Sequence, residues 1–189
     1  GVREMEATAF VSPSKVPALA DAAELAAELH NFPNIEFSAL VASPNGAKRA
    51  LAAGLPSIEY VVSAADGHSQ ANVGRTTAEA TAKIAEIVAI AHDSGVSVEV
   101  IVATAWDCPF DGPTAPKRVV DIVTAATEAG VDRVEFLVSF NAGESPRPLS
   151  AVASGGETSR FLLALTTALG GAGSGRLEVL DEVDEGVGG

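Results

Sequence analysis

The feature that most constrains this chain is the alternation of two hydrophobic periods along its whole length. Short apolar, β-branched runs recur: "REMEATAFV", "IEFSALVA", "SIEYVVSA", "VSVEVIVAT", "DRVEFLVSF" and "LEVLDEVD". Between them lie segments with apolar residues at helical spacing, such as "VPALADAAELAAELH" and "APKRVVDIVTAATEAG". Six strands alternating with five helices predict an α/β fold with parallel pairing and right-handed crossovers. Periodicity leaves open whether the sheet is open or part of a closed barrel.

Local signals refine this reading. Thr76 and Glu79 have the spacing of a capping box, which predicts a helix through about Asp93. Pro44-Asn45-Gly46 reads as a turn into a short helix closed by Gly54. "DGHSQANVGR" and "AWDCPFDGPT" read as loops, and His30 falls near the negative end of its helix, where a cation is favoured.

Composition excludes several classes. The 189 residues suffice for one domain with a sizeable core, or two small ones. The net charge of -13 argues against a general grip on nucleic acid, which needs clustered Lys and Arg. The single cysteine, Cys108, rules out an internal disulfide framework and predicts a reducing, cytoplasmic setting. No apolar run approaches the roughly 20 residues of a membrane span.

The motifs "MEATAFVSPSKVPALAD", "FPNIEFSALVASPNGAKRALAAG", "SAADGHSQANVGRTTAEA" and "DCPFDGPTAP" fall in order from about Val2 to Arg133. In this stretch the chain resembles hydroxymethylglutaryl-CoA lyase and its relatives, metal-dependent lyases built on a TIM (β/α)8 barrel. The resemblance implies a partial barrel beginning at the second strand, an acyl-CoA substrate, and a divalent cation such as Mg²⁺. Chemistry in such barrels sits at the C-terminal ends of the strands. Glu6, Thr8, Ser12, Ser63, Thr104 and Cys108 are expected at or just beyond those ends, and the resemblance implies that Glu6 is catalytic, organising the site near the metal. His68 reads as a solvated loop residue or a substrate-side contact, and Cys108 as a small buried hydrophobe. The three histidines, His30, His68 and His92, stand in separate segments and supply no His-x-His metal pair.

From about Val134 the motifs change. "VASGGETSRFLLALTTAL" followed by "LEVLDEVDEGVGG" resembles the C-terminal ABC-type ATPase lobe of the DNA double-strand-break repair protein RecN. Ser154, Gly155 and Gly156 open a predicted helix whose bare N–H groups suit a phosphate, and Glu157 completes a capping box. The resemblance implies that Ser154, Gly155, Gly156 and Glu157 face ATP, that Asp181 binds Mg²⁺, and that Glu182 is catalytic and orients the attacking water. ATP and DNA would be partners of the intact repair protein. No G-x-x-x-x-G-K-[ST] phosphate loop is present in the 189 residues.

The two resemblances meet near "AGVDRVEF". The sequence therefore reads as a chimera: residues 1–133 a partial TIM-barrel lyase-like segment, and residues 134–189 a RecN-like strand–loop–helix–strand with ABC signature and Walker B. Each half lacks the groups that would grip its cation or nucleotide, so no turnover by the chain alone is expected. Open sheet edges, or an ATPase-type dimer, predict self-association.

Overall fold

The computed structural model describes residues 3–138 together with 147–148. Five parallel strands form its sheet in chain order: β1 (Glu4–Phe10), β2 (Glu36–Val41), β3 (Ser57–Ser63), β4 (Ser97–Ala103) and β7 (Arg133–Val138). A two-residue hairpin, β5 (Asp107–Cys108) with β6 (Gly112–Pro113), stands apart after β4. The short strand β8 (Arg147–Pro148) runs antiparallel to the end of β7. β7 straddles the expected junction at 133/134 and continues the same wall. The last predicted strand, "LEVLDEVD", lies outside the described residues.

Crossover segments return the chain to the same side of the sheet. They carry α1 (Ala22–Glu28), α2 (Pro44–Ala52), α3 (Asp66–Val73), α4 (Thr77–Thr81), α5 (Ile84–His92) and α6 (Pro116–Ala129). The core is the helix-facing side of the wall. Phe37, Ala39 and Val41, then Ile58, Tyr60 and Val62, then Val98, Val100 and Val102 alternate inward along three strands and pack on Ala47, Ala50, Ile84, Ile87, Ala91 and Ile122. Small helix residues against branched strand residues allow close approach of the two layers. Tyr60 is 1% exposed and donates its hydroxyl to the Ala80 carbonyl at 3.0 Å; burial pushes its pKa up to about 12.

Three local expectations change. Pro44-Asn45-Gly46 is no turn: these residues are the first turn of α2, because Pro is pre-shaped for that position and Ser43 caps the helix by accepting from the Gly46 N–H at 3.2 Å. Gly46 also lies so near β1 that a Cβ would meet the Phe10 carbonyl oxygen at 2.5 Å. "DGHSQANVGR" is mostly helical, since α3 is held by tertiary bonds that its weak helix formers do not advertise. The helix after Thr76 breaks at Ala82–Lys83 into α4 and α5, although the Thr76–Glu79 capping box forms as read.

The wall is strongly curved. Arg133 on β7 lies 3.4 Å from Glu4 on β1, although three strands separate them. In a flat sheet those strands would stand about 19 Å apart, more than the two side chains bridge. The side away from the helices is therefore a concave hollow, as in the inside of a barrel. Among the described residues no helix is long and apolar enough to cross a membrane.

Candidate functional site

Period-2 geometry assigns one residue set to the hollow. On β2 it is Glu36, Ser38 and Leu40; on β3, Ser57, Glu59, Val61 and Ser63; on β4, Glu99, Ile101 and Ala103; on β7, Arg133 and Glu135. The register agrees: Glu59 pairs with Glu99, Glu99 with Arg133, and Ile101 with both Val61 and Glu135. β1 changes phase part-way. Its register slips between Glu6 and Thr8, so Glu4 and Glu6 face the hollow while Thr8 and Phe10 pair with the helix-side residues Ala39 and Val41.

The N-terminal half of this hollow is a groove of about 540 Å³ crowded with carboxylates. Glu6 lies here, in the first half of β1 beside Ser38, and not at the strand's C-terminal end as expected. Its pKa rises to about 7. Burial of the carboxyl is the largest cause, followed by a hydrogen bond to Glu59 and the charge of Glu59. Glu6 is exposed as a residue, so solvent moderates this rise. Ser38 Oγ donates to Glu59 Oε1. Glu99 also rises to about 7 through burial, opposed by the Arg133 charge and reinforced by Glu135 and Glu59. Arg133 joins three of these groups: Glu4 and Glu99 at 3.4 Å and Glu135 at 3.6 Å. Two carboxyls whose pKa values are raised by burial and by neighbouring carboxylates thus stand beside one guanidinium.

The C-terminal ends of the strands carry a different chemistry. Ser63 ends β3, is 3% exposed, and bonds His68 Nδ1 at 2.7 Å. His68 comes from the first turns of α3 and its ring lies 6.3 Å from that of Phe110. Thr104, just after β4, has a φ of 54°, a strained left-handed conformation for a β-branched residue. Its carbonyl accepts from Thr114 Oγ1 at 2.7 Å, which ties the β5–β6 hairpin to the strand end. Gly67 N donates to Asp111 Oδ2 at 2.7 Å, and Arg118 pairs with Asp66 at 2.8 Å. The loops after β3 and β4 are thereby bound to each other. Trp106 and Phe110 are 40% and 62% exposed, and Trp106 packs edge-on against Phe136 with ring centroids 6.1 Å apart.

The expected residues thus separate. Ser63 and Thr104 both lie at the C-terminal strand ends, the mouth of the hollow; Thr8 turns to the helices; Ser12 bonds Ser14 at 2.8 Å on the surface; Cys108 is buried at 2% exposure, with Phe110 N–H pointing to its sulfur at 3.4 Å. The Ser63–His68 pair and the Arg133 hub were not foreseen as units. The pair had one visible sign: a histidine five positions after the serine that ends a strand. Among the described residues, no three His, Cys, Asp or Glu side chains converge as ligands for a metal ion. The divalent cation implied by the lyase resemblance therefore finds no ligand set in this part of the chain. Ser154, Gly155, Gly156, Glu157, Asp181 and Glu182 lie outside the described residues.

No profile of a known protein family matches the chain. Individual proteins do. It is 33% identical over 144 residues to (R)-citramalyl-CoA lyase of Chloroflexus aurantiacus, covering 71% of this chain and 45% of that protein. It is 29% identical over 122 residues to the cytoplasmic 3-hydroxy-3-methylglutaryl-CoA lyase of Rattus norvegicus, covering 65% and 36%. Among solved structures, the HMG-CoA lyase of Brucella melitensis superposes with a TM-score of 0.72 at 29% identity, over 90% of this chain and 56% of that one. The HMG-CoA lyase of Acinetobacter baumannii, solved with coenzyme A and 3-methylmalate, gives 0.73 at 26% identity, over 89% and 52%. These matches lend no support to the RecN resemblance or to a chimera. The chain spans about half the length, or less, of the relatives it matches. Over that span it is homologous to the hydroxymethylglutaryl-CoA lyase family, with its barrel-type α/β wall.

Proposed function

We propose that this chain supplies the acyl-CoA-binding wall of a carbon–carbon lyase acting on a hydroxyacyl-CoA thioester, and that it does not turn over by itself. The observation that carries this reading is its likeness, in sequence and fold, to a lyase solved with coenzyme A. The acyl group would lie at the strand C-termini, near Ser63, His68 and Thr104, where barrel enzymes place their chemistry. Glu6, with its pKa near 7, would hold or release a proton deeper in the hollow. A divalent ion polarises a carbonyl only when several ligands fix it, so turnover would need ligands beyond those that the described residues bring together.

For residues 134–189 a second reading stands on the sequence run "SGGETSR … LDEVDEG" alone. In it Ser154, Gly155, Gly156 and Glu157 contact a nucleotide phosphate, Asp181 holds Mg²⁺ and Glu182 orients water, once another chain provides a phosphate loop. The comparisons favour the lyase reading over this one.

One experiment addresses both. Calorimetry of the full chain should show heat with acetyl-CoA and none with Mg-ATP, and incubation with hydroxymethylglutaryl-CoA and Mg²⁺ or Mn²⁺ should release no acetyl-CoA. No acetyl-CoA binding would remove the lyase reading. Steady metal-dependent release would remove the claim that the chain is inactive alone, and micromolar ATP affinity would reverse the preference between the two readings.

A further inference from the structure

We propose that His68 is a fixed hydrogen-bond donor at the mouth, oriented by Ser63 to present Nε2–H to the carbonyl oxygen of a bound thioester. This rests on the acyl-CoA reading above. The argument begins with Ser63. Its hydroxyl lies on the hollow side of β3 in a residue 3% exposed, and among the described residues its single partner is His68 Nδ1 at 2.7 Å. If Nδ1 carried the ring proton, the hydroxyl proton would have no acceptor among the described residues, and a buried donor left unsatisfied is costly. The satisfied arrangement has Ser63 donating to Nδ1. A neutral imidazole with an accepting Nδ1 carries its proton on Nε2.

That Nε2–H has no partner among the described residues, and the ring is only partly buried. The carboxylates nearby are engaged elsewhere: Asp66 by Arg118 and the Thr77 N–H, Asp111 by the Gly67 N–H. Among the described residues no carboxylate holds either nitrogen of the ring, the usual device for turning a histidine into a general base. What remains is a donor whose position is fixed from three sides. Ser63 holds Nδ1, Phe110 lies against the ring, and the Gly67–Asp111 bond anchors the start of α3 to the hairpin loop. A donor preset in place is the element that stabilises negative charge developing on an acyl oxygen. Just below it in the hollow lie Val61 and Ile101, an apolar floor that would keep water from competing for the same oxygen.

Two measurements on the full chain test this. Long-range proton–nitrogen NMR of histidine-labelled protein should show His68 as the Nε2–H tautomer, and Ser63→Ala should give a tautomer mixture. A wild-type Nδ1–H tautomer would overturn the proposal without touching the lyase reading. Calorimetry should then compare acetyl-CoA with S-ethyl-CoA, a thioether that lacks the carbonyl. Wild type should prefer acetyl-CoA by about tenfold, the worth of one hydrogen bond. His68→Phe should abolish that preference while leaving S-ethyl-CoA affinity unchanged, and His68→Gln, which keeps a donor, should restore part of it. Equal affinity of wild type for both probes would overturn this proposal alone. Failure of both to bind would overturn the lyase reading and this proposal with it.

Discussion

Ile58, Tyr60 and Val62 turn from β3 toward the helices; Glu59, Val61 and Ser63, interleaved with them, turn toward the hollow. The first set is buried almost completely and touches helices supplied by this chain. The second set runs from carboxylate through aliphatic to hydroxyl as the strand ascends. Glu59 faces Glu99 directly across the strand pair, a like-charge contact that a sheet built only for stability would avoid. One backbone thus serves two purposes. Its helix side is finished by local crossovers, while its hollow side keeps groups that stability alone does not explain. Retained polar groups inside a hollow are what a binding or catalytic face requires.

The largest effect expected from this contrast concerns packing. Ile87→Ala, on the helix side, should lower stability by about 2–5 kcal/mol, whereas Val61→Ala, in the hollow, should cost under about 1 kcal/mol. Urea unfolding of both variants measures this. Equal losses would mean that the hollow is packed as tightly as the core.

Next in size is the pH dependence of the carboxylate layer. Glu6 and Glu99 have folded-state pKa values raised to about 7 from 4.5. Groups raised in this way favour the folded state when protonated. Their contribution is fully present below about 4.5 and is lost as pH climbs through about 7. Stability should therefore fall between pH 5 and 8, and the Glu6→Gln/Glu99→Gln double variant should flatten that fall. Solvent reaches Glu6 and Arg133, so the flattening should amount to about 1 kcal/mol, well short of a full conversion of the shifts. Asp66 and Asp132 move the opposite way, lowered by Arg118 and by the Val98 N–H respectively, and their losses come only at more acid pH. A slope unchanged in the double variant would show that the layer is fully solvated.

The smallest effect calibrates the rest. Lys117 pairs with Asp121 at 2.7 Å on the outer surface of α6, with 82% of the lysine side chain exposed. Lys117→Ala should shift stability by about 0.5 kcal/mol or less. A larger shift in thermal melting would mean that surface charge counts for more in this acidic protein than its exposure suggests.

Much of the fold was legible because strand and helix periods are strong here and the capping box at Thr76 is local chemistry. The features that escaped were set by distant partners. Strict alternation from Glu4 would put Thr8 and Phe10 in the hollow with the carboxylates; the irregularity after Glu6 sends them to the core, and nothing in "EMEATAF" announces it. α3 was missed because Gly67, Ser69 and Asn72 are poor helix formers, and the bonds from Asp111 and Arg118 that hold it begin more than forty residues away. At the site, residue types were legible but their grouping was not. Glu6 was found, yet its neighbours Glu59, Glu99 and Arg133 become visible only once register is known. The nucleotide motifs fall within residues 149–189 and rest on sequence alone.

Gly67 has a consequence for inheritance. A methyl at this position would collide with Phe110 Cβ at 2.7 Å and with the Asp111 carboxylate, so even alanine must prise the two mouth loops apart. The residue contacts no proposed ligand, yet its replacement would unmoor the imidazole and the exposed ring of Phe110 together. On the proposed reading, such an allele would loosen the hold on the thioester carbonyl from a position that itself touches no ligand.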